Sequence, residues 1–192
     1  MEAISPIVGR LLLEASRDPE GFWERAAETL PWFRKWDKVF DWDFPDFSWF
    51  VGAETNLAYN CLDRHVEGGW GGHAALVYAN ERGERQVFTY AQLLHEVSRV
   101  ASALRGVGIE KGDRLTIYMP VCPEALMLML AAVRIGAIHS VVFAGFGAGA
   151  LGGRIKASGS KLVFTSDITY RKGGSVPLKG IVDSSLEGSG SS

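Results

Sequence analysis

The stretch Gly112–Phe146, GDRLTIYMPVCPEALMLMLAAVRIGAIHSVVFAGF, decides the fold. Its first apolar segment predicts a strand over Arg114–Met119, which Pro120 ends because proline has no amide hydrogen for a ladder bond. The run Ala125–Ile135 is apolar on nearly every face, which is typical of a buried helix. A second apolar strand is expected over Ile138–Phe143. Two apolar strands joined by a helix predict a parallel β-α-β unit in a covered sheet.

The same alternation of strands and helices continues on both sides of this unit. The spacing Thr89-x-x-Gln92 predicts a capping box, in which the threonine hydroxyl and the glutamine amide satisfy helix-start groups. Further elements are expected as a hairpin of Ala74–Tyr78 with Gln86–Thr89, a strand Lys161–Thr165, and helices Ala148–Ser158 and Val176–Leu186. The order predicts an α/β fold, with a largely parallel sheet and helices on both faces.

The N-terminal part has a different character. Asp18-Pro19 predicts a helix start, with the aspartate as N-cap and proline at the first position. Residues 31–50 hold four of the six tryptophans among acidic residues and a proline, and we expect an irregular arm there. Its aromatic side chains are interpreted as anchors onto a globular body, with a platform for a sugar or aromatic ligand as the alternative.

These observations predict three regions. They are a helical and irregular N-terminal arm over 1–66, an incomplete α/β domain over 67–186, and a Gly/Ser-rich flexible tail or fusion scar over 187–192.

Composition limits the classes of function. A net charge of -2 provides no electrostatic basis for binding nucleic acid or an anionic membrane, and Ala125–Ile135 is too short to span a bilayer. Two cysteines are too few for a disulfide framework, and Met1–Arg10 has no signal-peptide pattern, so we expect a cytoplasmic protein. Cys61 and His65 are spaced as a metal pair on a helix, but a hydrogen-bonded structural cluster is the favoured interpretation.

One glycine motif suggests a ligand. Gly147, Gly149 and Gly152 match G-x-G-x-x-G after an apolar strand, which is the outline of a dinucleotide-binding turn. Against this interpretation, Ala144-Gly145-Phe146 separates the strand from the motif, whereas a dinucleotide turn follows its strand directly. A dinucleotide-binding domain therefore stays open as an alternative. His139, inside the second strand, is expected to be a hydrogen-bonded core histidine rather than a catalytic base.

Several segments together resemble acetyl-CoA synthetases, a short-chain branch of the AMP-forming acyl-CoA synthetases. They are Asn56–His65, Thr89–Leu93 (TYAQL), Lys111–Arg114 with Tyr118–Pro120, Ala131–Phe146 and Val163–Gly173. The resemblance extends over about residues 8 to 186. It implies an adenylate-forming ligase that joins acetate to the α-phosphate of ATP, releases pyrophosphate, and passes the acetyl group to coenzyme A.

The resemblance also implies that only an N-terminal portion of such an enzyme is present. No segment has the [ST]-[ST]-G-[ST]-T-G-x-P-K-G spacing that wraps a triphosphate in backbone amides. The adenine contacts, the metal ligands and the catalytic lysine of the family are not matched either. We therefore expect ATP and Mg²⁺ to act only in a full-length enzyme, and we expect this chain alone to be inactive.

One ligand contact can be carried over from the family, namely a surface for the nucleotide end of coenzyme A. The residues that the resemblance implies are Phe143, Ala144, Gly145, Arg171, Lys172, Gly173 and Gly174. Arg171 would bond the 3′-phosphate, since a guanidinium can donate to phosphate as a fork. Gly174 stands where the family has a second arginine, so that half of the clamp is missing.

A non-catalytic interaction or scaffold role is the other open alternative. A partial domain would expose apolar surface that the rest of an enzyme covers, and self-association through that surface would follow.

Overall fold

The computed structural model describes residues 5–187, and the chain divides into two compact units, Met1–Asn56 and Leu57–Ser192. In the first unit, helices α1 (Pro6–Arg17) and α2 (Pro19–Ala27) precede strands β1 (Lys38–Asp43) and β2 (Asp46–Val51). The predicted start of α2 is confirmed, because the Asp18 carboxylate accepts a hydrogen bond from the Gly21 amide at 3.0 Å.

The prediction of an irregular segment over 31–50 is wrong in one respect, because β1 and β2 form an antiparallel hairpin there. Phe40 lies opposite Trp49, and Trp42 lies opposite Phe47, so four aromatic rings share one face of the hairpin. Cross-strand aromatic pairs of this kind stabilise a hairpin. Aromatic and polar residues alternate over Phe40–Asp43 and again over Phe47–Trp49, and this period of two was the available signal for a pair of strands.

The second unit contains most of the regular structure. Its elements are two π-helical turns (Tyr59–Asp63 and Val66–Trp70), strands β3 (Ala74–Ala79), β4 (Arg85–Thr89), β5 (Arg114–Tyr118), β6 (Ile138–Val141), β7 (Leu162–Thr165), β8 (Thr169–Arg171) and β9 (Gly174–Val176), and helices α3 (Tyr90–Gly106), α4 (Pro123–Arg134), α5 (Ala148–Ser158) and α6 (Leu178–Glu187). The predicted hairpin is confirmed as β3–β4, and the Thr89–Gln92 capping box is present. No helix among residues 5–187 is long and apolar enough to cross a membrane.

The parallel sheet has the strand order β6-β5-β7, with β5 in the centre. Alternate β5 side chains belong to opposite faces. Leu115 and Ile117 pack in one core with α3 and α4, while Tyr118 packs in a second core with Leu151 of α5 and Leu178 of α6. The predicted α/β class, with helices on both faces of a parallel sheet, is therefore confirmed.

Two details differ from the sequence-based expectation. Strand β6 ends at Val141, so Phe143 lies in the following loop rather than in the strand. Residues 169–176, where no strand was predicted, form a tight hairpin of β8 and β9. Lys172 and Gly173, at φ 52° and 77°, form a two-residue turn whose left-handed geometry matches the twist of paired strands.

A flexible tail was predicted over residues 187–192. Glu187 instead ends α6, and residues 188–192 lie outside the described residues.

Candidate functional site

The candidate site begins in the loop between β6 and α5. The Val142 amide donates to the Ile117 carbonyl at 2.9 Å, which continues the sheet pairing for one residue beyond β6. The Phe146 amide then donates to the Phe143 carbonyl at 3.0 Å, so the chain turns within residues 143–146. Because β6 is parallel to β5, this loop lies at the carboxyl end of the sheet, where open α/β sheets bind their ligands.

Arg171 of β8 lies against this loop. Its guanidinium carbon is 5.5 Å from the centre of the Phe143 ring, a cation–π distance. Phe143 is 62% exposed, so the arginine and the ring together form a surface feature. The ion pairs formed among residues 5–187 do not include Arg171, which leaves its hydrogen-bond donors available for an anion.

Gly145 permits this close approach. A Cβ atom at Gly145 would lie 2.4 Å from Cε1 of Phe143 and 2.7 Å from Nη1 of Arg171. Real Cβ atoms do not make such contacts, so any side chain here would push the ring or the guanidinium away. The absence of a Cβ therefore fits a site in which Phe143 and Arg171 act together on one ligand.

The structure thus brings together four of the seven residues that sequence analysis implicated: Phe143, Ala144, Gly145 and Arg171 all line one cleft. Lys172, Gly173 and Gly174 do not line it. Lys172 and Gly173 form the hairpin turn, and Gly174 pairs with Arg171 across the hairpin. These three residues determine where β8 presents Arg171.

The cleft has a volume of about 870 Å³ and lies within the second unit. Its walls come from β3 and the turn after it, the start of α4, the ends of β5 and β6, and β8. The lining is mainly apolar and includes Leu76, Met119, Leu126, Met129 and Val141. Arg82 contributes a second cation, which lies 4.6 Å from the centre of the Tyr170 ring. An apolar cleft with cationic groups suits a ligand that has both an apolar and an anionic part.

Sequence analysis missed three residues around this loop. The Phe146 ring meets the Phe143 ring edge-on at 6.0 Å, and the Arg154 guanidinium lies 4.4 Å from the Phe146 ring centre. The Tyr118 hydroxyl donates to the Phe146 carbonyl at 2.6 Å. A tyrosine at the end of an otherwise apolar strand was the available signal, since a buried tyrosine hydroxyl needs a partner.

The other candidate groups do not form a second site. No group of three or more potential metal ligands occurs among residues 5–187. The His65 ring packs on Tyr90, with 4.7 Å between ring centres. His139 is half-buried in β6, and its Nδ1 has no hydrogen-bond partner among residues 5–187, so this nitrogen does not follow the expectation of a hydrogen-bonded core histidine. Burial lowers the pKa of His139, because its imidazolium form is poorly solvated there.

The glycine motif has a packing explanation. A Cβ at Gly152 would lie 2.9 Å from the Ser185 carbonyl oxygen, so this glycine allows α5 and α6 to approach closely. Gly147 is the N-cap of α5, and Gly149 has no atom within 4 Å of a hypothetical Cβ. The first and third glycines are therefore accounted for by a helix start and a helix–helix contact.

Comparison with known proteins determines the family. The family model described as AMP-binding enzyme matches residues 62–187. The chain belongs to the AMP-binding enzyme family. A second family model, described as acetyl-coenzyme A synthetase N-terminus, matches residues 9–61 of this AMP-binding family member. Both matches confirm the resemblance found in the sequence.

Individual relatives of this family member agree with the family models. The chain is 50% identical over 161 residues to acetyl-coenzyme A synthetase of Deinococcus radiodurans, a match that covers 84% of the chain and 25% of the relative. It is 48% identical over 180 residues to acetyl-coenzyme A synthetase of Mycolicibacterium smegmatis, covering 93% of the chain and 19% of the relative. The chain therefore spans at most about a quarter of the length of these curated relatives.

Proposed function

We propose that this chain is the N-terminal portion of an AMP-forming acetate–CoA ligase and holds part of the surface that binds the nucleotide end of coenzyme A. The pairing of Arg171 with Phe143 at the carboxyl edge of the sheet carries this proposal. It places a cation with available donors beside an exposed aromatic face. Those are the two groups that a phosphorylated adenosine requires, one for phosphate and one for the base.

Each residue has a defined part. Arg171 donates to the 3′-phosphate through its guanidinium, as planar fork donors do with phosphate oxygens. The exposed face of Phe143 stacks on the adenine, since every base presents a π-face to an aromatic ring. Gly145 allows the Phe143 ring and the Arg171 guanidinium to lie close together, because it has no Cβ to separate them. The apolar cleft beside the loop then receives the less polar arm of coenzyme A.

The complete reaction converts acetate, ATP and coenzyme A into acetyl-CoA, AMP and pyrophosphate. We assign no residue of this chain to ATP, Mg²⁺ or the catalytic lysine, and we infer that the chain does not complete the reaction alone. We also infer a cytoplasmic location, in keeping with Cys61 and Cys122 as free thiols. Detecting acetyl-CoA after mixing the purified chain with acetate, ATP, Mg²⁺ and coenzyme A would contradict the inference of inactivity.

Titration calorimetry of coenzyme A into the purified chain tests the binding proposal. We expect saturable binding that Arg171→Ala weakens by about 10- to 100-fold, as expected for losing a charge-assisted hydrogen bond. Arg105→Ala is the matched control, because Arg105 is exposed at the end of α3 and does not line the cleft. A folded wild-type chain that does not bind coenzyme A contradicts the proposal, and selective binding of NAD would instead favour the dinucleotide alternative.

The exposed apolar surface supports a second candidate function, that of an interaction fragment. Val121 at the cleft is 92% exposed, and Phe143 is 62% exposed. Burying such groups against another protein surface is favourable at about 25 cal/mol per Å² of apolar area. Sedimentation at several concentrations tests this role. A mass that rises with concentration, together with no coenzyme A binding, favours it, whereas a constant monomer mass contradicts self-association.

A further inference from the structure

Tyr118 is a buried polar side chain that the proposed function does not use. It is the last residue of β5 and is 0% exposed. Its ring belongs to the apolar core formed with Val142, Leu151 and Leu178. Burial raises the pKa of its phenol, so the hydroxyl keeps its proton and acts as a donor.

The hydroxyl is directed at the loop that carries the candidate site. It donates to the Phe146 carbonyl at 2.6 Å and approaches the Ala144 carbonyl at 3.3 Å. These two carbonyls lie on either side of Gly145, so one phenol spans the turn from its buried side. A phenol has a single proton, and the shorter contact is therefore the principal hydrogen bond.

We propose that Tyr118 is a positioning residue for the coenzyme A surface, holding the backbone of residues 144–146 so that Gly145 stays against the Phe143 ring and Arg171. This inference rests on the proposed function for its ligand, but its structural part does not. Within the turn, the Phe146 amide donates to the Phe143 carbonyl. Without the phenol, the loop backbone loses its side-chain hydrogen bond to the core, and the packing of Ala144 against that core remains.

The same strand provides a matched control. Thr116 is also 0% exposed and, two residues earlier, it shares the face of β5 that Tyr118 occupies. Its hydroxyl pairs with the Ser160 hydroxyl at 2.8 Å, in the connection between α5 and β7. Thr116→Val removes a buried hydroxyl as Tyr118→Phe does, but it leaves the bonds of the 143–146 turn untouched. If Tyr118 only stabilised the fold, Tyr118→Phe and Thr116→Val would have the same effect on the 143–146 turn and on coenzyme A binding.

Amide hydrogen exchange of both variants provides the first test. Exchange at Phe146 is compared with exchange at Leu115 and Ile117, which report global opening. We expect Tyr118→Phe to accelerate exchange at Phe146 about tenfold relative to those core amides, and Thr116→Val to change it less than about twofold. Equal relative exchange at Phe146 in the two variants would overturn the proposal.

Coenzyme A titration provides the second test. We expect Tyr118→Phe to weaken binding about tenfold, through the misplaced Gly145 backbone, while Thr116→Val stays within about twofold of wild type. Wild-type affinity in Tyr118→Phe overturns the positioning role. If the wild-type chain itself does not bind, the proposed function fails, and the exchange result still decides whether Tyr118 orders the loop.

A measurement on the wild-type chain covers the case in which Tyr118→Phe fails to fold. A buried, hydrogen-bonded phenol exchanges slowly with water, so its hydroxyl proton should give a separate NMR signal. We expect that signal to show contacts with the α-protons of residues 144–146. A signal that lacks those contacts, or a hydroxyl that exchanges as fast as an exposed tyrosine, would overturn the proposal.

Discussion

The body and the carboxyl end of the central β-α-β unit differ in how far their apolar side chains are exposed. In its body, Leu115 of β5 and Ala131 of α4 are 0% exposed and belong to one core. At its carboxyl end, Val121 is 92% exposed and Phe143 is 62% exposed, beside an open cleft. Apolar residues that look equivalent in the sequence therefore have different environments. Those in the body stabilise a closed core, and we propose that those at the carboxyl end contact a ligand or another protein surface.

The largest expected effect lies in the body. Leu115→Ala should lower the free energy of unfolding by about 2–5 kcal/mol, because it leaves a cavity in a closed core. Urea unfolding followed by far-ultraviolet circular dichroism measures this loss, because the second unit contains most of the regular structure. Val121→Ala is the comparison at the carboxyl end, where we expect a change within about 0.5 kcal/mol. Similar losses of unfolding free energy in the two variants would contradict the distinction between the body and the carboxyl end.

The second effect concerns the attachment of the first π-helical turn to α4. Arg134 donates to Asp63 through two bonds of 2.7 and 2.9 Å, and the side chains are 29% and 15% exposed. We expect Asp63→Ala to cost about 1–3 kcal/mol in unfolding free energy, since it removes two charge-assisted hydrogen bonds from a partly buried ion pair. Asp183→Ala breaks an exposed pair with Lys179 and should cost less than about 1 kcal/mol. Equal costs in urea titrations would contradict this assignment.

The third effect separates binding from stability at the carboxyl end. Gly145→Ala places a Cβ against Phe143 and Arg171, so we expect coenzyme A affinity to fall about tenfold, with a loss of about 1 kcal/mol or less in unfolding free energy. Gly149→Ala is the control, because its Cβ meets no atom within 4 Å. It should stabilise α5 by about 0.5–1 kcal/mol and leave affinity unchanged. Undiminished affinity in Gly145→Ala would count against a shared Phe143–Arg171 surface.

The smallest effect is a pH dependence from the body of the sheet. Burial lowers the pKa of His139 below its ordinary value of 6.5, so the unfolded chain takes up this proton first on acidification. The contribution of His139 to stability is complete above pH 6.5 and is lost as the pH falls through the lower, folded-state pKa. Unfolding free energies of wild type and His139→Phe between pH 7.5 and about 5 test this. We expect a shallower slope in the variant, and identical slopes would contradict the expectation.

Much of the fold is predictable because its signals are local. The apolar run of α4, the capping box of α3 and the strands on either side of α4 follow from composition and spacing, and the structure confirms them. The β1–β2 hairpin was missed because each strand has only six residues and several of its polar positions are aspartates, which are depleted in strands. The β8–β9 hairpin was missed because its turn places Lys172, a non-glycine residue, at φ 52°. Sequence patterns rarely signal that conformation.

The candidate site is only partly predictable, because it depends on contacts between distant residues. Arg171 and the 143–145 segment were connected through a family resemblance, and no spacing in the chain indicates that they meet. The Tyr118 bond to the Phe146 carbonyl joins residues 28 positions apart. The contact of Arg154 with the Phe146 ring likewise requires the three-dimensional structure. Local patterns predict elements, whereas the site is formed where their ends come together.

The most direct measurement of the central claim compares coenzyme A with 3′-dephospho-coenzyme A on the wild-type chain and on Arg171→Ala. If Arg171 binds the 3′-phosphate, wild type prefers coenzyme A by about 10- to 100-fold, and the variant binds both ligands with the same weaker affinity. Equal affinity of the wild-type chain for the two ligands, or an undiminished preference in Arg171→Ala, would contradict the account.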